Sequence, residues 1–298
     1  MKIIKSNNME SNQNYDETGD FAQSIDFYLE TDGEVGLYVK DYGQGAPVIL
    51  IHGWPLSGES WEYQIEALVN NGNRVITYDR RGFGKSSHPW DGYDYDTLAE
   101  DLKAIIDELE LINVTLVGFS MGGGEIARYF GKFGGEGISK AVLISSVTPF
   151  MLKTADNEYG TPQEEFDKME KQIREDRMAF LETFGKTFYN VGMLSKPVSS
   201  AYLHNDFMIA AAASPRATIE CMKAFSSTDF RADLPKINVP VLLIHGDADK
   251  TVPLEASSGL AQKLIPNCRL VIYEGAPHGL CFTEKERLNR DLISFLNS

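Results

Sequence analysis

LVGFSMGGGE, residues 116–125, places three glycines directly behind a serine and a methionine. Glycine costs a helix roughly 0.5–1 kcal/mol relative to alanine, so three at a helix start need a reason. The apolar run VTLVGFS (114–120) reads as a strand, and a helix is predicted to follow it. Gly118-Phe119-Ser120-Met121-Gly122 therefore reads G-x-S-x-G at a strand-to-helix turn, the setting of a nucleophile elbow. A serine in so sharp a turn leaves no room for neighbouring side chains. Gly118 and Gly122 remove that bulk, and Gly123 and Gly124 are read as letting the helix press against the sheet. The helix N-terminus then aims N–H groups and positive dipole at the serine.

A serine hydroxyl is a poor nucleophile and needs a base that is itself held by an acid. Where such an elbow occurs, the acid and then the histidine follow it in the chain. Three histidines lie downstream: His204 in a helical region, His245 at the end of a strand, and His278 in EGAPHGL, a loop after the last strand. His278 has the loop position from which Ser120 can be reached. The acid is expected after VPVLLIHG (239–246), where Asp247 and Asp249 both stand; Asp249, deeper in the loop, is the favoured one. An oxyanion needs N–H donors from the residue after the serine, Met121, and from an early strand-end loop. His52-Gly53-Trp54-Pro55 is that loop, and Trp54 the expected donor. Pro55 has no N–H and restricts Trp54 to extended angles. His52 precedes the serine, against the expected order, and is read as holding the loop. Trp54, Pro55 and Phe119 are the expected substrate contacts, in an apolar pocket of medium size completed by Phe150 and aromatics of the helical region.

The rest of the chain supplies the frame. Runs at 35–43, 47–53, 74–79, 114–120, 140–147, 239–246 and 269–275 are short and rich in Val, Ile and Leu, and several are apolar on successive positions, as strands buried on both faces are. Helical patterns lie between them. Residues 96–111 put Leu98, Leu102, Ile105, Ile106 and Leu109 on one face, with Asp96 as the expected N-cap. Residues 254–264 and 285–297 read as further helices. The alternation predicts an α/β fold with a mostly parallel central sheet flanked by helices. Residues 148–230 break the rhythm with helical, acidic and aromatic sequence and are read as an inserted helical cap. The core is expected over 25–147 and 231–298, and residues 1–24, rich in Asn, Ser, Glu and Asp, as a disordered N-terminal tail.

Composition narrows the function. The 298 residues carry 28 Lys and Arg against 43 Asp and Glu, a net charge of −15, which argues against nucleic-acid and anionic-membrane partners. Cys221, Cys268 and Cys281 are widely spaced, which argues against a disulfide framework or a structural zinc site. No stretch reaches the roughly 18 apolar residues of a membrane span. The start lacks the long apolar core of a signal peptide, so a cytoplasmic protein is expected.

HGWPLSGESWEYQ (52–64), YDRRGFGKSSHPWDGYDYDT (78–97), LVGFSMGGGEIARY (116–129), VTPFMLKT (147–154), HGDADKTVP (245–253) and EGAPHGL (274–280) together resemble the α/β-hydrolase superfamily. Within it they are similar to the cofactor-free bacterial haloperoxidases, or perhydrolases, and the related arylesterases. The resemblance spans nearly the whole chain after residue 25. It implies a catalytic Ser120, Asp249 and His278, with Trp54 and Met121 as oxyanion donors. It implies hydrolysis of carboxylic esters through an acyl-enzyme, with hydrogen peroxide able to replace water, and no haem, vanadium or other metal. The resulting peracid oxidises halide in solution. The same three residues would also serve a lactonase, a γ-lactamase or a C–C bond hydrolase. The expected partners are a small ester or carboxylic acid and hydrogen peroxide; a homo-oligomer is compatible with the sequence.

Overall fold

The computed structural model describes residues 3–4, 24–31 and 35–298. The expected N-terminal tail therefore falls almost wholly outside the described residues. The strands are β1 (Ile3–Ile4), β2 (Ser24–Thr31), β3 (Val35–Tyr42), β4 (Ala46–Ile51), β5 (Asn73–Tyr78), β6 (Val114–Phe119), β7 (Ile138–Ile144), β8 (Val241–Gly246) and β9 (Cys268–Tyr273). They form one sheet in the order β1-β2-β3-β5-β4-β6-β7-β8-β9. The β1-β2, β2-β3 and β3-β5 pairs are antiparallel and the remaining five are parallel. The helices are α1 (Glu62–Asn70), α2 (Tyr95–Glu108), α3 (Met121–Phe133), α4 (Gln163–Phe188), α5 (Ser200–Ala211), α6 (Pro215–Ser227), α7 (Ser258–Ala261), α8 (Leu280–Thr283) and α9 (Lys285–Leu296).

The inner parallel strands β4, β6, β7 and β8 read as apolar runs because both of their faces are covered; β9, at the sheet edge, departs from the expectation, with Arg269 and Ile272 exposed. Ile49, Leu116, Leu143 and Leu243 pack on one side with Leu98, Leu102 and Ile126 of α2 and α3. Val48, Val117, Val142 and Leu242 pack on the other with Leu68, Leu288 and Leu292 of α1 and α9. Between β7 and β8 the described residues form α4, α5 and α6 and no named strand. No described helix is long and apolar enough to cross a membrane.

Four local features differ from the sequence expectation. The N-cap of α2 is Asp94, which accepts the Thr97 N–H at 3.0 Å; Asp96 instead pairs with Arg128 at 2.5 Å. Residues 254–264 do not form one helix. A 3₁₀ turn, Leu254–Ala256, and α7 are separated at Ser257, whose hydroxyl donates to the Pro253 carbonyl at 2.7 Å. The long helical stretch α4 breaks at Asp176 (φ −155°, ψ 90°), whose carboxylate caps the second half by accepting Ala179 N–H at 3.0 Å. The sequence expectation places no strand at β2, because Asp26 and Glu30 interrupt its apolar residues. Its alternation, with Phe27, Leu29 and Thr31 buried, was the available signal.

Candidate active site

Strand β6 delivers Ser120 at its C-terminal end, where the backbone turns directly into α3. Ser120 has φ 54° and ψ −115°, a conformation that is costly for a residue with a Cβ and persists only when its surroundings enforce it. Those surroundings are specific. Ser120 N–H donates to the Ile144 carbonyl at 2.8 Å, and Gly123 N–H donates back to the Ser120 carbonyl at 3.0 Å. A Cβ at Gly118 would lie 2.5 Å from the Gly122 carbonyl oxygen, and one at Gly122 would collide with the Ile51 carbonyl. The remaining two glycines do different work. Gly123 is pressed on Ser146, in the loop after β7, whereas Gly124 is pressed on the Tyr95 ring of α2, so the latter serves helix packing rather than contact with the sheet.

The loop after β9 brings His278 to this elbow. Its Nε2 lies 3.0 Å from Ser120 Oγ, and its Nδ1 lies 2.6 Å from Asp249 Oδ2 in the loop after β8. All three residues are buried. Asp249 Oδ1 accepts the Thr251 and Val252 N–H groups at 2.9 and 2.8 Å. Burial pushes the Asp249 carboxyl up, but the charge and hydrogen bonds of His278 and His245 outweigh it and hold it below the usual carboxylate range. With Asp249 ionised, the proton shared with His278 belongs on Nδ1, which leaves Nε2 free to accept from Ser120. Asp247 is exposed and caps the turn ahead of His278 by accepting Gly275 N–H at 2.6 Å.

His52 is held as a loop residue. Its Nε2 accepts the Arg80 N–H at 3.0 Å, so its Nδ1 carries the proton and donates to the Gly53 carbonyl at 2.9 Å. Burial, aided by the Arg80 charge, drives its pKa well down and keeps it neutral. Arg80 also donates to the His52 carbonyl at 2.7 Å and to Glu125 Oε1 at 2.6 Å, while Tyr78 donates to Glu125 Oε2 at 2.5 Å. Burial works against the Arg80 cation, and its neighbours together, Glu125 first among them, more than offset that. This network, absent from the sequence reading, fixes the loop from beneath. The loop lies against the nucleophile: a Cβ on Gly53 would sit 3.2 Å from Ser120 Cβ. Neither the Trp54 N–H nor the Met121 N–H has an acceptor among the described residues.

Ser120, His278 and Trp54 line a cavity of about 600 Å³ walled by Val147, Met151, Phe166, Phe180, Phe184 and Phe225. The Trp54 indole N–H donates to the Thr218 carbonyl of α6 at 3.0 Å, tying the loop to the inserted helices. Phe119 does not line this cavity. It packs behind the site, its ring centroid 5.0 Å from that of His278. Pro55, joined to Trp54 by a cis peptide bond, lines a neighbouring cavity. Phe150 lies outside both, beneath Arg231. His204 lines the neighbouring cavity on α5, away from Ser120. His245 is fully buried, its Nε2 donating to the Val252 carbonyl at 2.8 Å and lying 3.3 Å from Asp249 Oδ2. Its contact with the acid gave no local signal in the sequence.

A mostly parallel sheet of this order, with a serine at a strand-to-helix elbow and a carboxylate and histidine on later loops, is the arrangement of the α/β hydrolases. The chain belongs to that family: the alpha/beta hydrolase fold profile matches residues 46–285. It is 42% identical to a non-heme chloroperoxidase of Kitasatospora aureofaciens, over 88% of this chain and 96% of that protein. It is 39% identical to the bifunctional esterase/perhydrolase DCH of Acinetobacter calcoaceticus, over 91% of this chain and 99% of that protein. Its structure is similar to the crystal structure of bromoperoxidase from Bacillus anthracis, with a TM-score of 0.89, 47% identity, and coverage of 93% of this chain and 100% of that one.

Proposed function

We propose that this chain hydrolyses small carboxylic esters through an acyl-enzyme on Ser120, and that hydrogen peroxide competes with water for that acyl-enzyme. The observation that carries the reading is the buried series Ser120–His278–Asp249, closed at 3.0 and 2.6 Å. His278 Nε2 takes the Ser120 proton as Oγ attacks the ester carbonyl, and Asp249 stabilises the imidazolium that forms. The tetrahedral oxyanion is received by the unpartnered N–H groups of Trp54 and Met121. His278 then returns its proton to the leaving alcohol. In the second half it takes a proton from water or peroxide, whose oxygen attacks the acyl carbon; Ser120 leaves with that proton, and the product is an acid or a peracid. A peracid released to solution oxidises halide there.

Residues 148–230 act in this reading as a cap whose aromatic residues shape the space beside Ser120. The apolar cavity suits a medium-sized acyl or aryl group. Relatives named non-heme chloroperoxidase and esterase/perhydrolase support the peroxide branch. Peroxide as co-substrate and a cytoplasmic setting belong to this proposal, and no step depends on a homo-oligomer. The test uses purified protein with p-nitrophenyl acetate, then acetate, peroxide and bromide with monochlorodimedone. Wild type should perform both reactions, and folded Ser120→Ala should lose about 10⁴-fold or more in each. Retained ester cleavage in Ser120→Ala would remove the acyl-enzyme; cleavage without peroxide-dependent bromination would remove the perhydrolase branch alone.

A further inference from the structure

Six carboxylates are buried among the described residues: Asp79, Asp101, Glu125, Asp206, Asp233 and Asp249. Five are compensated by a cation, a histidine or backbone N–H groups. Asp101 pairs with Arg81 at 2.6 Å, Glu125 with Arg80 at 2.6 Å and Asp233 with Arg128 at 3.0 Å. Asp79 accepts Gly58 and Lys85 N–H at 2.8 and 2.7 Å, and Asp249 has His278 and two backbone donors. Asp206 has none of these. Its Oδ2 accepts the Tyr189 hydroxyl, and its Oδ1 has no hydrogen-bond partner among the described residues.

Asp206 also lines a cavity of about 340 Å³ between α4, α5 and the Pro55 loop. The walls are mainly apolar, with Pro55, Leu56, Leu181, Phe184, Phe207 and Ala210 among them. The cation on the same wall, Lys186, is engaged with Glu182 at 2.7 Å. His204 lines the cavity as well, and Tyr202 lies close enough to Asp206 to feel its charge. A buried carboxylate without a counter-charge costs several kcal/mol. Elsewhere this protein compensates its buried acids. Here it provides instead a space of ligand size beside the acid.

We propose that this cavity binds a small apolar organic cation, a protonated aryl- or alkylamine, with its ammonium on Asp206 and its hydrocarbon against the aromatic wall. An ammonium brings three donors, enough for the free Oδ1 with some to spare. A cation beside Phe184, Phe207 and Tyr189 also gains from their ring faces. Phe184 stands in the wall of both this cavity and the one holding Ser120, but the two ligand spaces are otherwise differently lined.

Benzylammonium chloride titrated calorimetrically into the full chain at pH 8 tests this. Wild type and Ser120→Ala should show the same saturable one-site binding. Asp206→Asn should bind at least about tenfold more weakly, as should wild type towards benzyl alcohol, which has the same shape and no charge. At pH 5 wild type should also bind about tenfold more weakly, because the acid is then largely protonated. That arm does not rely on a substitution, and repeating it in Asp206→Asn separates Asp206 from His204, since the pH effect should vanish there. Undiminished binding by Asp206→Asn, equal binding of benzyl alcohol, loss of binding in Ser120→Ala, a pH effect that persists in Asp206→Asn, or no saturable binding to wild type would each overturn the proposal.

Discussion

The sheet core and the inserted helices α4 to α6 treat buried charge in opposite ways. In the core, Glu125 is matched to Arg80, Asp101 to Arg81 and Asp249 to His278, each at 2.6 Å. Ser120, Asp249 and His278 stand at or beyond the C-terminal ends of the parallel strands β6, β8 and β9, of which β6 and β8 are buried throughout. The inserted helices bury aromatics against two cavities, break at Asp176, and leave Asp206 without a counter-charge. Geometry needed to a few tenths of an ångström is thus mounted on the part whose buried carboxylates are compensated. The part that holds the uncompensated carboxylate shapes space.

The comparison is most exposed at the acid. Asp249→Asn should lower ester turnover by about 10⁴-fold, since an amide holds His278 in the wrong tautomer. Asp247→Asn should cost little, because its side chain only caps Gly275. Steady-state kinetics on the two purified variants decide this, and the reverse order would assign the acid to Asp247.

Next come the buried charges, where the two regions should respond with opposite signs. Glu125→Gln strands the Arg80 cation and should destabilise by about 3–5 kcal/mol in urea unfolding. Asp206→Asn should do the reverse above neutrality. Burial raises the Asp206 carboxyl to about 6, although the Tyr189 hydrogen bond opposes it. Its unfolded value is near 3.9. Between those values the native state keeps a proton that the unfolded chain has released, so stability falls as pH rises through about 4 to 6 and stays low above it. Asp206→Asn should remove that fall, which amounts to about 2–3 kcal/mol at pH 8, and should be neutral or worse below pH 4. A variant less stable than wild type at pH 8 would break the contrast.

The smallest effect concerns shape. Phe180 lines the Ser120 cavity, so Phe180→Ala should alter kcat/KM for large against small esters by about 1–3 kcal/mol of discrimination. Equal losses on all esters would make it a packing residue.

What the sequence made legible follows the same division. Ser120, Asp249 and His278 were readable because the elbow glycines are local and the partners follow in a fixed chain order, each after a recognisable strand. The Arg80–Glu125–Tyr78 network was not, since its members lie 45 and 47 positions apart. Its one local trace is an acid on the buried face of α3, within GGGEIARYF. Phe119 is expected against substrate as one of the aromatics of an apolar pocket. Strand alternation turns its side chain to the other face, behind His278. Asp206 gave no signal at all: it is an ordinary aspartate in a helical stretch until packing buries it.

The claim that Ser120 is the nucleophile meets its most direct test in stoichiometric labelling with a phosphonofluoridate, followed by peptide mass spectrometry. Wild type should take up one phosphonyl group, found on Ser120, with loss of ester hydrolysis in proportion to labelling. His278→Ala should label far more slowly, since no base then draws the proton from Oγ. An unlabelled Ser120 in folded, active protein, or an adduct on another residue that accounts for the lost activity, would contradict the account.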